Sequence, residues 1–172
     1  VRPLAAGDVW RIGSTVVEVQ WPTGDDTEQL DTNDTSVVVV LRRGEFDMVL
    51  TGDAERVVQQ RLIAEGLAGE VEVLKVPHHG STNGLTAEGL EAWSPHDAII
   101  SVGAGNDFGH PCPETVALLD GAGVRTWRTD ECGDITVSVG SDGYQVRGAR
   151  RGTAPSVRAR MRSARSTPCR CP

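Results

Sequence analysis

Apolar and polar positions alternate along residues 8–11 and 15–21 around Ile12-Gly13-Ser14, which predicts a β-hairpin ending at Trp21-Pro22. Residues 23–35 are polar and acidic and read as a surface loop. The four consecutive valines Val37 to Val40 predict a strand over 36–41 buried on both faces. A turn at Arg42-Arg43-Gly44-Glu45 returns the chain into an apolar strand over 46–52, so two antiparallel strands carry Asp53 to one end of a sheet. Residues 54–65 predict a helix, with Val57, Val58 and Leu62 inward, Arg56, Gln59, Gln60 and Arg61 outward, and Gly66 as its stop. Val71, Val73, Leu74 and Val76 form a β-branched strand that Pro77, lacking an N–H, must end. A short helix near 86–93, a strand at 98–102 and a helix from Pro113 to residue 119 follow. Strands at 124–128, 134–139 and 144–146 complete the pattern. A β-meander followed by alternating strands and helices implies a layered α/β sandwich.

The chemistry gathers where two of these strands stop. Directly after the Val71 strand comes Pro77-His78-His79-Gly80-Ser81-Thr82, which places two of the four histidines side by side. One histidine there would read as an ordinary turn residue, but an adjacent pair favours function. The strand 46–52 ends in Thr51-Gly52-Asp53. Asp53 alone serves equally well as a cap for the next helix or as a ligand. Beside His78 and His79 the ligand reading wins, because carboxylate and imidazole together suit a divalent metal. Strand ends of this kind are where sites collect in layered α/β folds.

Composition narrows the field. The chain has 172 residues, 38% hydrophobic, and suits one domain with a real core, or part of a larger one. It has no apolar run of membrane-spanning length. It starts at Val1 without a signal-peptide pattern, so a fragment of a longer protein is expected. Residues 147–172 carry eight arginines and no acid; the rest holds nine basic against 24 acidic residues, a net charge of −15. Such a body is a poor general surface for nucleic acid. The Arg-rich tail, 148–172, has too few large apolar residues to offset ordering and is expected to be disordered. Cys112, Cys132, Cys169 and Cys171 form no zinc-ribbon or disulfide framework, and Cys112 reads as a half-buried thiol. His96, after Ser94-Pro95, reads as a surface residue.

Further motifs follow in order: Leu74-Lys75-Val76-Pro77-His78-His79-Gly80-Ser81, then Ser101-Val102-Gly103, Asn106, Gly109-His110-Pro111, Arg128-Thr129-Asp130 and Gly133. With Thr51-Gly52-Asp53 upstream, residues 3–140 resemble the C-terminal metallo-β-lactamase-like domain of ComEC-type competence proteins, which import DNA. The resemblance implies a metallo-β-lactamase-like αββα sandwich, of which residues 1–147 form the second half only. It implies a metal-dependent hydrolase of nucleic acid in the intact domain, with zinc or manganese as the cofactor. Asp53 matches the family aspartate that anchors or bridges metal. One histidine of the pair matches the late metal-binding histidine, and His78 is favoured. His79, Ser81 and Lys75 then stand to contact substrate phosphate, although Lys75, the single lysine, equally suits a solvated strand end. His110, in its Gly-His-Pro turn, stands as substrate ligand or general acid. The implied partners are DNA and the remainder of a membrane-embedded parent, which puts the domain at the bacterial cell membrane.

One departure stands out. No histidine precedes position 78, so the superfamily's early His-x-His-x-Asp-His type motif is absent. Only the second half of the site is then expected, with weakly held metal and little activity in this chain alone. Two other readings fit the same residues. One is a fragment of a soluble metallo-β-lactamase-fold hydrolase of small esters or phosphodiesters. The other is a non-catalytic module that keeps the fold.

Overall fold

A computed structural model describes residues 3–23 and 30–149. Strands β1 (Val9–Ile12) and β2 (Thr15–Trp21) form the expected hairpin, with Ile12 opposite Thr15. β3 (Val38–Arg43) and β4 (Phe46–Leu50) continue the antiparallel meander. β5 (Val73–Lys75), β6 (Asp97–Ile100) and β7 (Arg125–Arg128) then add in parallel, and the seven strands lie in sequence order β1 to β7. Helices α1 (Arg56–Ala64), α2 (Ala87–Trp93) and α3 (Pro113–Gly121) make the three crossovers, and the short α4 (Thr129–Cys132) follows β7. Parallel crossovers are right-handed, so strands added in one direction place every crossover helix on the same face. The other face receives the β8 (Ile135–Gly140) and β9 (Gly143–Gly148) hairpin, which is a separate two-stranded sheet. Helix layer, main sheet and hairpin are three layers of the metallo-β-lactamase-like αββα sandwich.

Two cores follow from these layers. Between sheet and helices lie Trp21, Val38, Val49, Val58, Leu62, Leu74, Trp93, Ile100 and Leu119, each at most 2% exposed. Full burial of a Val- or Leu-sized side chain contributes about 1.5–3 kcal/mol. Between sheet and hairpin lie Phe46, Val73, Ile99, Trp127, Tyr144 and Val146. The hairpin core gathers residues of β4 to β7. Over β1 to β3 the same face leaves Val39 and Leu41 half-buried, and Trp10 and Ile12 are 40% and 69% exposed. The valine run is therefore buried alternately, with Val38 and Val40 in the core and Val37 and Val39 half-buried, rather than on both faces.

Other expectations change for local reasons. Val57 lies outward, 43% exposed, while Gln59 is buried on the inner face of α1. Its amide donates to the Gly84 carbonyl and accepts from the Thr86 N–H at 3.0 Å, so a polar side chain fastens the start of α2. The acidic loop contains a 3₁₀ turn, Asn33–Thr35, whose Asp34 is buried. Asp34 accepts the Glu55 N–H at 2.8 Å, and the Trp21 indole donates to its carbonyl at 2.6 Å. The N-terminus of α1 is thus served by a residue 21 positions upstream, and Asp53 is not its cap. β9 runs through Gly148, one residue past the expected end of the folded body. The rest of the predicted tail, from residue 150, lies outside the described residues.

Asp97 joins the main sheet to the hairpin. It is fully buried, and its carboxylate accepts from the Arg125 guanidinium, the Trp127 indole (2.6 Å) and the Tyr144 hydroxyl (2.7 Å). Burial first, and then the neighbouring carboxylate, push the Tyr144 phenol far above its ordinary range. A raised folded-state pKa leaves stability intact below the unfolded value, about 10, and erodes it above that pH. Alkaline unfolding should therefore steepen above about pH 10, by up to about 1.4 kcal/mol per pH unit. Tyr144→Phe should remove that component in circular-dichroism titrations, and an unchanged slope would contradict the assignment.

Candidate metal centre

The C-terminal ends of β4, β5 and β6 meet at one sheet edge. Thr51 is buried, and its hydroxyl donates to the Lys75 carbonyl at 2.8 Å, clamping the end of β4 to that of β5. Gly52 turns the chain with φ +58°, and a Cβ there would lie 2.9 Å from the Ser36 Cβ. Its carbonyl accepts from Lys75 Nζ at 2.7 Å and from the His78 N–H at 3.2 Å. The Asp53 N–H donates to the Ser36 hydroxyl at 3.2 Å, so both sides of the turn are held. Asp53 Oδ1 then stands 3.3 Å from His79 Nε2 and 3.9 Å from Lys75 Nζ. Burial lowers the Lys75 pKa, and the Asp53 charge partly restores it.

The histidine pair sits on unusual backbone. His78 and His79 have φ of +45° and +53°, and Gly80 follows at +81°. Left-handed conformation costs a non-glycine residue about 1–2 kcal/mol, so the surroundings must impose it. The Ser81 N–H donates to the His78 carbonyl at 2.8 Å, and the Cys112 N–H donates to the Gly80 carbonyl at 2.8 Å. A Cβ on Gly80 would lie 2.7 Å from the Pro111 Cβ. Only glycine lets the His78-His79 turn and the His110-Pro111 loop approach this closely.

Each imidazole of the pair is tied at Nδ1. His79 Nδ1 lies 2.6 Å from the Ser101 carbonyl, which can only accept, so Nδ1 carries the proton. His79 Nε2 then faces the Asp53 carboxylate. Two electron-rich atoms at 3.3 Å require a second proton or a cation between them. Two ligands bonded at about 2.0–2.1 Å to one tetrahedral ion lie about 3.3 Å apart, so this pair fits a shared ion. His78 Nδ1 lies 2.8 Å from Glu55 Oε1, which also accepts from the Asn33 amide at 3.1 Å. Carboxylate or carbonyl behind an imidazole is the arrangement that orients metal-ligating histidines. The His110 ring lies edge-on to His78 at 5.7 Å, with its Nδ1 3.7 Å from Cys112 Sγ. Desolvation, and then the charges of His78 and His79, lower its pKa.

Asp53, Lys75, His78, His79 and His110 therefore converge. Ser81 is placed differently: it is buried, and its hydroxyl accepts the Asn83 N–H at 3.3 Å within the turn. Asp53 faces His79, whereas His78 faces Glu55, although the resemblance favours His78 as the ligand. Among the described residues no group of three or more His, Cys, Asp or Glu side chains is arranged around one point. The fit is to a partial centre of two protein donors. Glu55 and the Ser101 carbonyl were not singled out from sequence. Glu55, two residues after Asp53, carries a weak signal, whereas a carbonyl carries none.

Comparison with known proteins places the chain in a family. The chain is 32% identical over 135 residues to ComE operon protein 3 of Bacillus subtilis, covering 78% of this chain and 17% of that one. It is ComEC-like. Recombination protein 2 of Haemophilus influenzae is 31% identical to it over 123 residues, or 72% of this chain and 15% of that protein. Competence protein ComA of Neisseria gonorrhoeae is 26% identical over 132 residues, 76% of this chain and 19% of the other. The ComEC-like chain thus spans less than a fifth of the length of these relatives. No family model matches it. Among solved structures, one assigned as a metal-dependent hydrolase from Parabacteroides distasonis superposes with a TM-score of 0.50 at 14% identity. That match covers 74% of the ComEC-like chain and 56% of the other, and it carries the fold alone.

Proposed function

We propose that this chain is part of the hydrolase domain of a ComEC-like DNA-import protein, and that the intact domain cleaves nucleic acid with a divalent metal, zinc or manganese. The observation that carries the proposal is the Asp53–His79 pair, with His79 Nδ1 held by the Ser101 carbonyl at 2.6 Å and Nε2 3.3 Å from the carboxylate. Asp53 and His79 would hold the ion, and when bound it would supply a water acidified toward neutral pH and a Lewis acid for a phosphate oxygen. The protein's own groups do the rest. Lys75 offsets the Asp53 charge from 3.9 Å and pins the Gly52 turn. Glu55 holds the His78 ring with its Nε2 unengaged by that bond, and His110 lies edge-on beside it. These two rings offer hydrogen-bonding atoms to a phosphate diester and its leaving oxygen. Among the described residues no helix is long and apolar enough to cross a membrane, so attachment to the bacterial membrane belongs in this proposal to other parts of the parent.

With only two protein donors, the metal is held weakly and water takes its other positions. Residues 1–172 with manganese should cleave oligonucleotides negligibly, whereas the full-length parent should cleave them in a metal-dependent way. Efficient cleavage by residues 1–172 alone would overturn the partial-centre argument. A parent that hydrolyses small esters but no nucleic acid would move the domain to the small-substrate reading.

A further inference from the structure

Phe108 is the most exposed large apolar side chain among the described residues, at 81%. Exposure by itself says little, since single apolar side chains are common on surfaces. Two further observations set this one apart. First, its loop is built rather than loose. Asn106 Oδ1 accepts the N–H groups of Phe108 (3.2 Å) and His110 (3.1 Å), while its amide donates to the carbonyls of Gly103 (3.0 Å) and His110 (2.7 Å). One side chain thereby holds both ends of the segment that presents the ring. Second, the ring lies beside another ring. Phe108 stacks on His110 with centroids 6.1 Å apart and planes 16° from parallel, and His110 in turn meets His78 edge-on at 5.7 Å. A ladder of rings therefore runs from open solvent to the Asp53–His79 pair.

We propose that Phe108 is a stacking platform for a nucleobase of single-stranded nucleic acid, placing the strand's adjacent phosphate against the histidine cluster. The inference rests on the nucleic-acid reading above and refines its substrate. The mode of contact favours the single strand over the duplex. The body of the chain carries nine basic against 24 acidic residues, so it offers little phosphate attraction to either form, and stacking has to carry the affinity. Stacking needs no charge and accepts any base, provided the base is out of a duplex. A ring whose loop is held by Asn106, with both faces open to solvent, meets that requirement with little further ordering.

The test uses residues 1–172 with a short oligonucleotide carrying 2-aminopurine, in the presence of a chelator so that no cleavage intervenes. Binding of the single strand should quench the 2-aminopurine fluorescence, and the matching duplex should bind at least tenfold more weakly. Phe108→Ala should weaken single-strand binding by about tenfold or more and abolish the quench, while Phe108→Trp should retain both. The position is solvent-exposed, so both variants should melt as the parent chain does. Unchanged affinity and quench in Phe108→Ala, preference for the duplex, or no strand binding by the unaltered chain would each overturn the platform. Metal-dependent cleavage by the full-length parent would stand or fall separately, so the two readings fail distinguishably.

Discussion

Asp97→Ala should destabilise the domain by about 3–5 kcal/mol, the range found when one partner of a buried charge pair is removed. That is a large part of the 5–15 kcal/mol available to a domain of this kind. Asp97 has no exposure, and three donors from β7 and β9 end on its two oxygens. Alanine leaves the Arg125 guanidinium, the Trp127 indole and the Tyr144 hydroxyl without this acceptor inside the second core. Asp97→Asn keeps the shape but presents an amide to donors, so an intermediate loss is expected. Urea unfolding followed by tryptophan fluorescence measures both. A loss below about 1 kcal/mol for alanine would show that the cluster is not the fastening between sheet and hairpin.

Metal affinity should divide the histidines. Asp53→Ala and His79→Ala should each lower manganese or zinc affinity of residues 1–172 by on the order of a hundredfold or more, since each removes one of two protein donors. His78→Ala and Glu55→Ala should cost less, about tenfold, because the pair they form stands beside the Asp53–His79 couple. Calorimetric titration reads the affinities, and circular dichroism checks that each variant is folded. The reverse order, with His78→Ala the most damaging, would restore the assignment that the resemblance favours.

Much of this molecule is legible in its sequence, and the boundary has a physical cause. Strands and turns follow from local signals: the Val71 run stopped by Pro77, the Gly13-Ser14 hairpin, and the stop at Gly66, which adopts φ +69°. Asp53 and the histidine pair stand out in the sequence because strand ends carry chemistry in such folds. Tertiary partners chosen across long separations were not readable. Asp34 meets Glu55 across 21 residues, Glu55 meets His78 across 23, and His79 meets Ser101 across 22. These contacts decide which imidazole faces the aspartate, and no spacing rule encodes them. Gln59 shows the same limit, since a polar residue predicted to face solvent is buried by its fit to the start of α2.

The order of the main sheet has a consequence for how the chain acquires its shape. Every strand from β2 to β7 pairs with the one just before it. After the first hairpin no strand waits for a partner encoded later, and the loops to be closed stay short at each step. A chain emerging from the ribosome can lay down the sheet one strand at a time, bringing Asp53 beside His79 before β9 has been synthesised. The bond from Tyr144 back to Asp97, 47 residues apart, then makes the last hairpin the closing step.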